Sequence, residues 1–270
     1  MSTNPAAGDL FGGPLALSIA GAVWVWLLAW MLGAALFPLG HRLHDRSRLL
    51  AWAVIGIAVE AQLWLVLGWF GKLWPPIVVG VGVGITVGAA LVAVPRIARE
   101  LRVEGGRAVT PGRSWLAVTA CAALVLFVAL VLRLALWPTV FYDDLVYHLG
   151  VPRQALLTGT WPAMQGLHYS FMPAGWDATY VLPLAFGAGS APQLMNVIAL
   201  VSFAWAVYRL ARFGGGPDGA AVATALLVIA PVTGSSGAFA GNDLFVALAL
   251  AVAAERLVAT AASRPRLVGL

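Results

Sequence analysis

The sequence predicts an all-α fold, a polytopic bundle of about seven transmembrane helices. Hydrophobic residues make up 61% of the chain and charged residues only 10%, whereas soluble domains are about half apolar and about a quarter charged. Several apolar runs reach the roughly 20 residues that a helix needs to cross a bilayer. The runs do not alternate polar and apolar side chains, as the strands of a transmembrane β-barrel do. These observations exclude a soluble globular domain.

The apolar runs place the predicted spans in order along the chain. Residues 1–9 contain no Lys or Arg, so they lack the basic region of a secretory signal, and we expect the first span to stay in the membrane. Cys121 is the only cysteine, which leaves no partner for an intrachain disulfide. The predicted spans are Leu15–Leu39, Leu49–Phe70, Leu73–Val94, Ser114–Trp137, Pro192–Ala211, Gly219–Phe239 and Leu244–Ala261.

The arginines indicate how the spans are oriented. They crowd into alternate connections and beyond the last span, while the other connections are nearly bare. The positive-inside rule places the arginine-bearing connections in the cytoplasm. The N-terminus, the loop 138–190 and the turn 234–242 then face outward, and the C-terminus is cytoplasmic. The arginines that set this orientation are Arg42, Arg46, Arg48, Arg96, Arg99, Arg102, Arg107, Arg113, Arg209, Arg212, Arg256, Arg264 and Arg266.

Polar content divides the chain into two parts. Residues 1–113 are leading transmembrane hairpins with few polar side chains, and residues 114–270 carry the long outer loop 138–190. A connection of this length is uncommon without a function or a structure of its own. Apolar residues at helical spacing predict an amphipathic helix over Asp144–Leu157 that lies in the membrane interface and is ended by Thr158–Pro162.

A pair of carboxylates opens the outer loop. Asp143 and Asp144 closely follow an apolar run, with Tyr147 and His148 just beyond them. In a chain so poor in charge, an acidic pair beside a histidine at a membrane edge indicates a site for acid–base chemistry. The alternative is that the pair caps the following helix, because Asp is a favoured N-cap and suits the positive end of the helix dipole. His148 is then either a proton donor or acceptor, or a residue that only hydrogen-bonds the loop.

Further polar residues lie in the spans or at their ends. Asp243 starts the last span, where it is either a second functional carboxylate or another N-cap. Converging carboxylates would serve as a base, as a group that positions an acceptor, or as ligands of a divalent metal. Arg133 lies about one turn before the end of its span, so its side chain is able to reach outward and bind a phosphate. Glu60 and Asn196 lie within spans, where such groups usually face the bundle interior.

The order of these features resembles the N-terminal half of the GT-C glycosyltransferases, membrane enzymes that use polyprenyl-phosphate sugars. Protein O-mannosyltransferases and the aminoarabinose transferase of lipid A belong to that superfamily. The segment Asp143–Leu149 (DDLVYHL) looks like the Asp-x-x-x-Tyr-His-Leu pattern of bacterial members, and His168–Pro173 (HYSFMP) resembles their later Tyr-Ser-x-x-Pro stretch. Ala240–Leu244 (AGNDL) resembles their second acidic motif. The resemblance covers roughly residues 114–261.

The resemblance implies an inverting sugar transfer on the outer face of a bacterial plasma membrane. By that pattern Asp143 is the acid that acts on the acceptor or positions it, Asp144 is the next candidate, and Asp243 is the second acid. The implied donor is a polyprenyl-phosphate sugar, so neither a nucleotide site nor a nucleic-acid partner is expected. The residues implied to contact the donor phosphate or sugar are Arg153, His168 and Tyr169.

Two departures from the family pattern leave alternatives open. The spans before residue 114 are additional to the family's usual start, and members generally continue with further spans beyond the point where this sequence stops. We therefore expect either a fragment truncated at its C-terminus or a bundle completed by a second chain. Membrane lipids, the lipid-linked donor and an acceptor of unknown class are the expected partners. The alternative function is a non-catalytic scaffold or a transporter subunit, and broken helices or internal repeats would be typical of a transporter.

Overall fold

The computed structural model of the chain describes residues 14–37, 48–105, 114–137, 141–162 and 175–263. Within these ranges all the regular elements are helical, and six helices are long and apolar enough to cross a membrane. The prediction of an all-α polytopic bundle is confirmed. The helices are α1 (Leu15–Leu36), α2 (Leu49–Trp69), α3 (Pro75–Gly105), α4 (Trp115–Ala135), α5 (Gly150–Thr158), α6 (Val181–Ala185), α7 (Ala191–Val228), α8 (Pro231–Ala238) and α9 (Asp243–Ser263).

The predicted span Gly219–Phe239 is divided between α7 and α8. α7 contains a turn at Gly216, whose φ of 61° and ψ of −170° separate a first limb from a second. The second limb ends at Val228 and, after a short break, Pro231 opens α8. A proline disfavours helical backbone in the residue before it, and Ala230 is extended, with a ψ of 136°. This segment is therefore helical but interrupted, in place of the continuous span expected from hydropathy.

Small residues bring α1 and α2 into close contact. A Cβ added at Gly56 of α2 would overlap the carbonyl group of Ala29 on α1, and one added at Gly33 of α1 would overlap the carbonyl group of Trp52 on α2. Helices in lipid associate by such close packing, because the surrounding hydrocarbon offers no hydrophobic driving force between them. α1 also packs against α3 and α7, so it lies at the centre of the bundle.

The connections predicted to face outward meet at one end of the bundle, which we call the acid-bearing end. The Ser190 N–H, just before α7, donates to Ser18 Oγ in the first turn of α1 at 3.3 Å. The Leu73 N–H, between α2 and α3, donates to the carbonyl of Gly159 at 2.9 Å. The start of α1, the end of α2 and the start of α7 thus gather around the loop that carries the acidic pair.

Arginines and their partners occupy the opposite end. Arg96 of α3 donates to the carbonyl of Ala34 in the last turn of α1 at 2.6 Å, where helix carbonyls lack partners of their own. Arg209 of α7 lies 3.1 Å from Glu255 of α9. The described arginine-bearing connections therefore share one end, as predicted. That this end faces the cytoplasm stays a prediction from the positive-inside rule.

We expect Gly56→Ala to lower the thermal unfolding midpoint of the purified protein, because the added Cβ would force α1 and α2 apart. Gly84→Ala on α3 is the matched control, since nothing lies within 4 Å of a Cβ at that position and alanine favours helix over glycine. Circular dichroism in detergent measures both variants. Equal midpoints for the two would contradict the close packing of α1 against α2.

Candidate functional site

The acid-bearing end buries two carboxylates and one imidazole, which we call the Asp–His cluster. Its members are Asp144, His148 and Asp177, with exposed fractions of 1%, 7% and 8%. The first two lie on the π-helical turn Asp144–His148, and Asp177 lies on the 3₁₀ turn Trp176–Tyr180. Ionisable groups from two separate parts of the outer loop therefore meet in the interior.

A proline lies shortly after the π-helical turn. Pro152 has no N–H, so it cannot donate to the carbonyl of His148, and a regular α-helix loses a bond at this point. The Leu149 N–H donates at 2.8 Å to the carbonyl of Asp144, which is the wider spacing of a π turn. The turn leads into α5, which ends at Gly159 with a φ of 78°. The helix predicted in this loop is present, and it begins with a π turn that sequence periodicity does not reveal.

His148 and Asp177 form a direct polar contact within the cluster. His148 Nδ1 lies 2.9 Å from Asp177 Oδ1. Burial lowers the pKa of His148, but the hydrogen bond and charge of Asp177, together with the charges of Asp144 and Asp143, outweigh burial and raise that pKa above its ordinary value. Burial raises the pKa of the Asp177 carboxyl, while its bond to His148 opposes the rise. The imidazole is therefore protonated at a higher pH than a free histidine would be.

Asp144 connects the outer loop to the turn between α8 and α9. Its Oδ2 accepts a hydrogen bond from the N–H of Ala240 at 2.9 Å, and the contact is buried. Ala240 begins the second acidic segment, so the two acidic segments touch, whereas Asp243 itself is exposed on the first turn of α9. The Asp143 side chain makes no capping bond. The N-cap alternative is therefore wrong for Asp143, and the bond that Asp144 accepts from Ala240 runs across the fold.

A second polar group secures the same turn. The Tyr180 hydroxyl accepts from Trp176 Nε1 at 2.6 Å and donates to the carbonyl of Gly241 at 3.1 Å. Asn196 Nδ2 donates to the carbonyls of Phe239 and Gly241, at 2.5 and 3.1 Å. Burial raises the pKa of Tyr180 well above its ordinary value, and nearby carboxylate charge adds to the rise, so the hydroxyl stays neutral. Asn196 faces the bundle interior, as predicted.

The other predicted site residues have different environments. Asp143 is half-buried, and it is close enough for its charge to act on the imidazole of the cluster. Arg153 is buried on α5, and burial lowers its pKa to about 10, so it remains protonated at neutral pH. Arg133 is exposed on the last turn of α4. His168 and Tyr169 lie outside the described residues.

The sequence pattern does not single out Asp177, although one signal was available. Asp177 is the only acidic residue between Asp144 and Asp218, and an isolated carboxylate in an apolar chain needs a partner if it is buried. Its partner is His148, 29 positions earlier. No spacing rule connects residues this far apart in a loop, so the pairing was not predictable.

Neither a metal site nor a mid-membrane polar site emerges from the ranges that the structure describes. Within them, no three His, Cys, Asp or Glu side chains converge so as to hold a metal ion. Glu60 is fully buried on α2 and accepts from Trp64 Nε1 at 3.2 Å, so it faces the interior as predicted. An apolar cleft of about 360 Å³ lies between α4 and the second limb of α7 and offers no ionisable side chain. The ionisable groups gathered at the acid-bearing end are therefore the best candidate for chemistry.

Comparison with known proteins yields no relative. No protein-family model, no curated protein and no solved structure matches the chain. The resemblance to the GT-C enzymes therefore rests on the short motifs alone, and the function has to be inferred from the chemistry of the site.

Asp144→Ala is expected to lower the free energy of unfolding by about 1–3 kcal/mol, because it leaves the buried N–H of Ala240 without its acceptor. Asp143→Ala is the neighbouring control and should stay closer to the wild type, since its side chain makes no capping bond. Denaturation of both variants in mixed detergent micelles gives the comparison. If Asp143→Ala proves the more destabilised, the cross-fold bond is not what holds the loop.

The pH dependence of stability should report on His148. Because its pKa is raised in the folded protein, its stabilising contribution is complete below the ordinary pKa of about 6.5 and is lost as pH rises through the folded value. We expect the thermal unfolding midpoint of the wild type to fall between roughly pH 6 and pH 9, the range around that pKa. The midpoint of His148→Gln should fall less steeply over the same range. Parallel slopes would show that His148 titrates alike in both states.

Proposed function

We propose that this chain is a membrane glycosyltransferase, or part of one, that moves a sugar from a polyprenyl-phosphate donor to an acceptor hydroxyl. The main support is the contact of the two acidic segments, in which Asp144 accepts the N–H of Ala240 at 2.9 Å. A lipid-linked donor presents its phosphate and sugar at a membrane edge, where the acidic segments lie. By the positive-inside rule this edge faces outward, so the transfer occurs on the outer face of a bacterial plasma membrane.

Asp143 is the carboxylate best suited to act as the base. A base must come within hydrogen-bond reach of the acceptor hydroxyl. Asp143 is half-buried, whereas Asp144 is almost fully buried and bonded to Ala240. We therefore assign proton removal to Asp143 and the positioning of the loop to Asp144. Asp243, exposed at the start of α9, is open to contact with a bound sugar.

The reaction is a direct displacement at the anomeric carbon. The acceptor oxygen forms the new bond to that carbon, the bond to the phosphate oxygen breaks, and its electron pair leaves with the lipid phosphate. Asp143 takes the acceptor proton as the bond forms, a contribution that is typically about 10²–10⁴-fold. A single displacement inverts the anomeric configuration. Alignment of the reactants and stabilisation of the phosphate charge supply the remaining acceleration.

Two arginines are our candidates for contact with the donor phosphate. Arg133 is exposed on the last turn of α4, where its long side chain can reach the headgroup level from the lipid-facing surface. Arg153 is buried on α5, in the same segment as the Asp–His cluster. A guanidinium binds phosphate oxygens through paired N–H donors. We therefore assign Arg133 to the phosphate of a lipid that approaches from the bilayer, and Arg153 to negative charge inside the site.

Transport is the second candidate, and the interrupted span formed by the second limb of α7 and by α8 favours it. Transporters bind substrates at broken helices near the membrane midplane. Here the cleft beside the break, however, is lined by Leu226, Ile229 and Ala230 and by other apolar side chains. The polar groups lie instead at the acid-bearing end. Sugar transfer therefore explains the position of the polar side chains better than transport does.

Asp143→Asn is expected to lower the rate of sugar transfer by about 10²-fold or more, because the amide cannot accept the acceptor proton. The full chain in proteoliposomes is supplied with a panel of polyprenyl-phosphate hexoses and pentoses and with a membrane extract as the source of acceptor. Release of free polyprenyl phosphate measures turnover.

Asp218→Asn is the matched control, because Asp218 follows the Gly216 turn, where the first limb of α7 ends, whereas the acid-bearing end lies at the start of that limb. It should keep the wild-type rate. Undiminished turnover by Asp143→Asn would remove Asp143 from the role of base. Substrate movement across the vesicle membrane without release of polyprenyl phosphate would support the transporter instead.

A further inference from the structure

The bond between His148 and Asp177 has no part in the reaction as proposed so far. His148 Nδ1 lies 2.9 Å from Asp177 Oδ1, and both side chains are buried. The ring of Tyr147 packs on the imidazole, with centroids 4.2 Å apart. A buried histidine held by a carboxylate on one edge and by an aromatic ring beside it has a fixed orientation.

The bond to Asp177 decides which ring nitrogen of His148 is available. An ionised carboxylate only accepts hydrogen bonds, so the neutral imidazole bonded to it carries its hydrogen on Nδ1. The Nε2 lone pair is then the free proton acceptor of the ring. A carboxylate that selects the tautomer of a histidine and stabilises its charged form is a recurrent arrangement for proton transfer.

The π-helical geometry relates His148 to Asp143. The two residues are five positions apart, which is the spacing of the backbone hydrogen bonds in a π-helix. The next pair with this spacing, Leu149 and Asp144, forms such a bond. The charge of Asp143 acts on the imidazole. The proposed base and the oriented histidine therefore lie on neighbouring positions of one turn.

We infer that Asp177 is a positioning residue, which holds His148 so that Nε2 takes over the proton that Asp143 removes from the acceptor. This inference rests on the proposed glycosyltransferase function and adds two residues to it. Asp143 gains the proton when the sugar bond forms, and passes it to Nε2, which becomes an N–H. The carboxylate is thereby restored, and the imidazolium loses its proton to water before the next turnover.

The direction of this transfer follows from ordinary acidities. A carboxylic acid is generally a stronger acid than an imidazolium by about 2–3 pK units, so proton transfer from a carboxylic acid to a neutral imidazole is favourable. The charged groups that act on His148 are Asp143 and Asp144, which precede it on the same helical segment, and Asp177 on the 3₁₀ turn. All three carboxylates stabilise the imidazolium.

A buried latch is the competing explanation, in which the bond only ties the 3₁₀ turn to the π turn. Asp177→Asn separates the two explanations, because the amide has nearly the same shape and can still bond the ring. As a donor to Nδ1, however, the amide favours the opposite tautomer. If the bond is only a latch, the turns should stay joined and the activity unchanged in Asp177→Asn. If Nε2 is the proton acceptor, the activity should fall, because Nε2 then carries the hydrogen.

The test combines ¹⁵N-histidine NMR of the full chain in detergent with kinetics in proteoliposomes. We expect the wild-type His148 signal, identified by its loss in His148→Gln, to show the hydrogen on Nδ1, and Asp177→Asn to move it to Nε2. Asp177→Asn should lower kcat about 10²-fold with little change in KM. The acidic limb of its pH profile should move to lower pH, because the lost carboxylate no longer raises the pKa of His148. Asp218→Asn should change none of these quantities.

Each result decides a separate point. A wild-type His148 with its hydrogen on Nε2 overturns the inference even if Asp177→Asn does not fold. A changed tautomer with an unchanged kcat and pH profile overturns the proton role and leaves the latch. If the wild type releases no polyprenyl phosphate, the proposed function fails and the relay with it, whereas the NMR signal still shows whether Asp177 orients His148.

Discussion

The hydrogen bond from the N–H of Ala240 to the carboxylate of Asp144 holds the acid-bearing end together. It joins the start of the outer loop to the turn between α8 and α9, two segments that are 96 positions apart. The contact is buried, so losing it would leave a polar group without its partner. The π turn, and with it His148, is therefore fixed relative to the second acidic segment. Asp177 and the Tyr180–Asn196 contacts then complete the same arrangement.

The different roles that we propose for Asp143 and Asp144 are based on this bond. A carboxylate that is buried and bonded to backbone supports structure, and one that is half-buried next to it remains open to a substrate. Consecutive residues of a helical turn point in different directions, so an acidic pair supplies one group of each kind. An acidic pair at a membrane edge can thus combine a support and a reactive group in a single turn.

Proline and glycine shape the bundle where hydropathy suggests uniform helices. Pro152 takes a donor away from the helix that begins in the outer loop, Gly216 turns α7, and Pro231 separates α7 from α8. Glycines on α1 and α2 have the opposite effect, because they let two helices approach closely. Proline and glycine therefore interrupt helices in some segments, and glycine permits close helix packing in others.

Hydropathy and arginine placement sufficed to predict the helical class, most helix positions and the grouping of loops at two ends, because burial in lipid and charge asymmetry act on local sequence. They also indicated Asp143, Asp144 and His148, since ionisable residues are rare in this chain. The break between α7 and α8 was not predicted, because a single proline hardly changes the mean hydropathy of an apolar run. Only the tertiary structure decided that Asp144 bonds Ala240 and that Asp177 pairs with His148. Those contacts join distant segments through the packing of the bundle, and no local pattern encodes them.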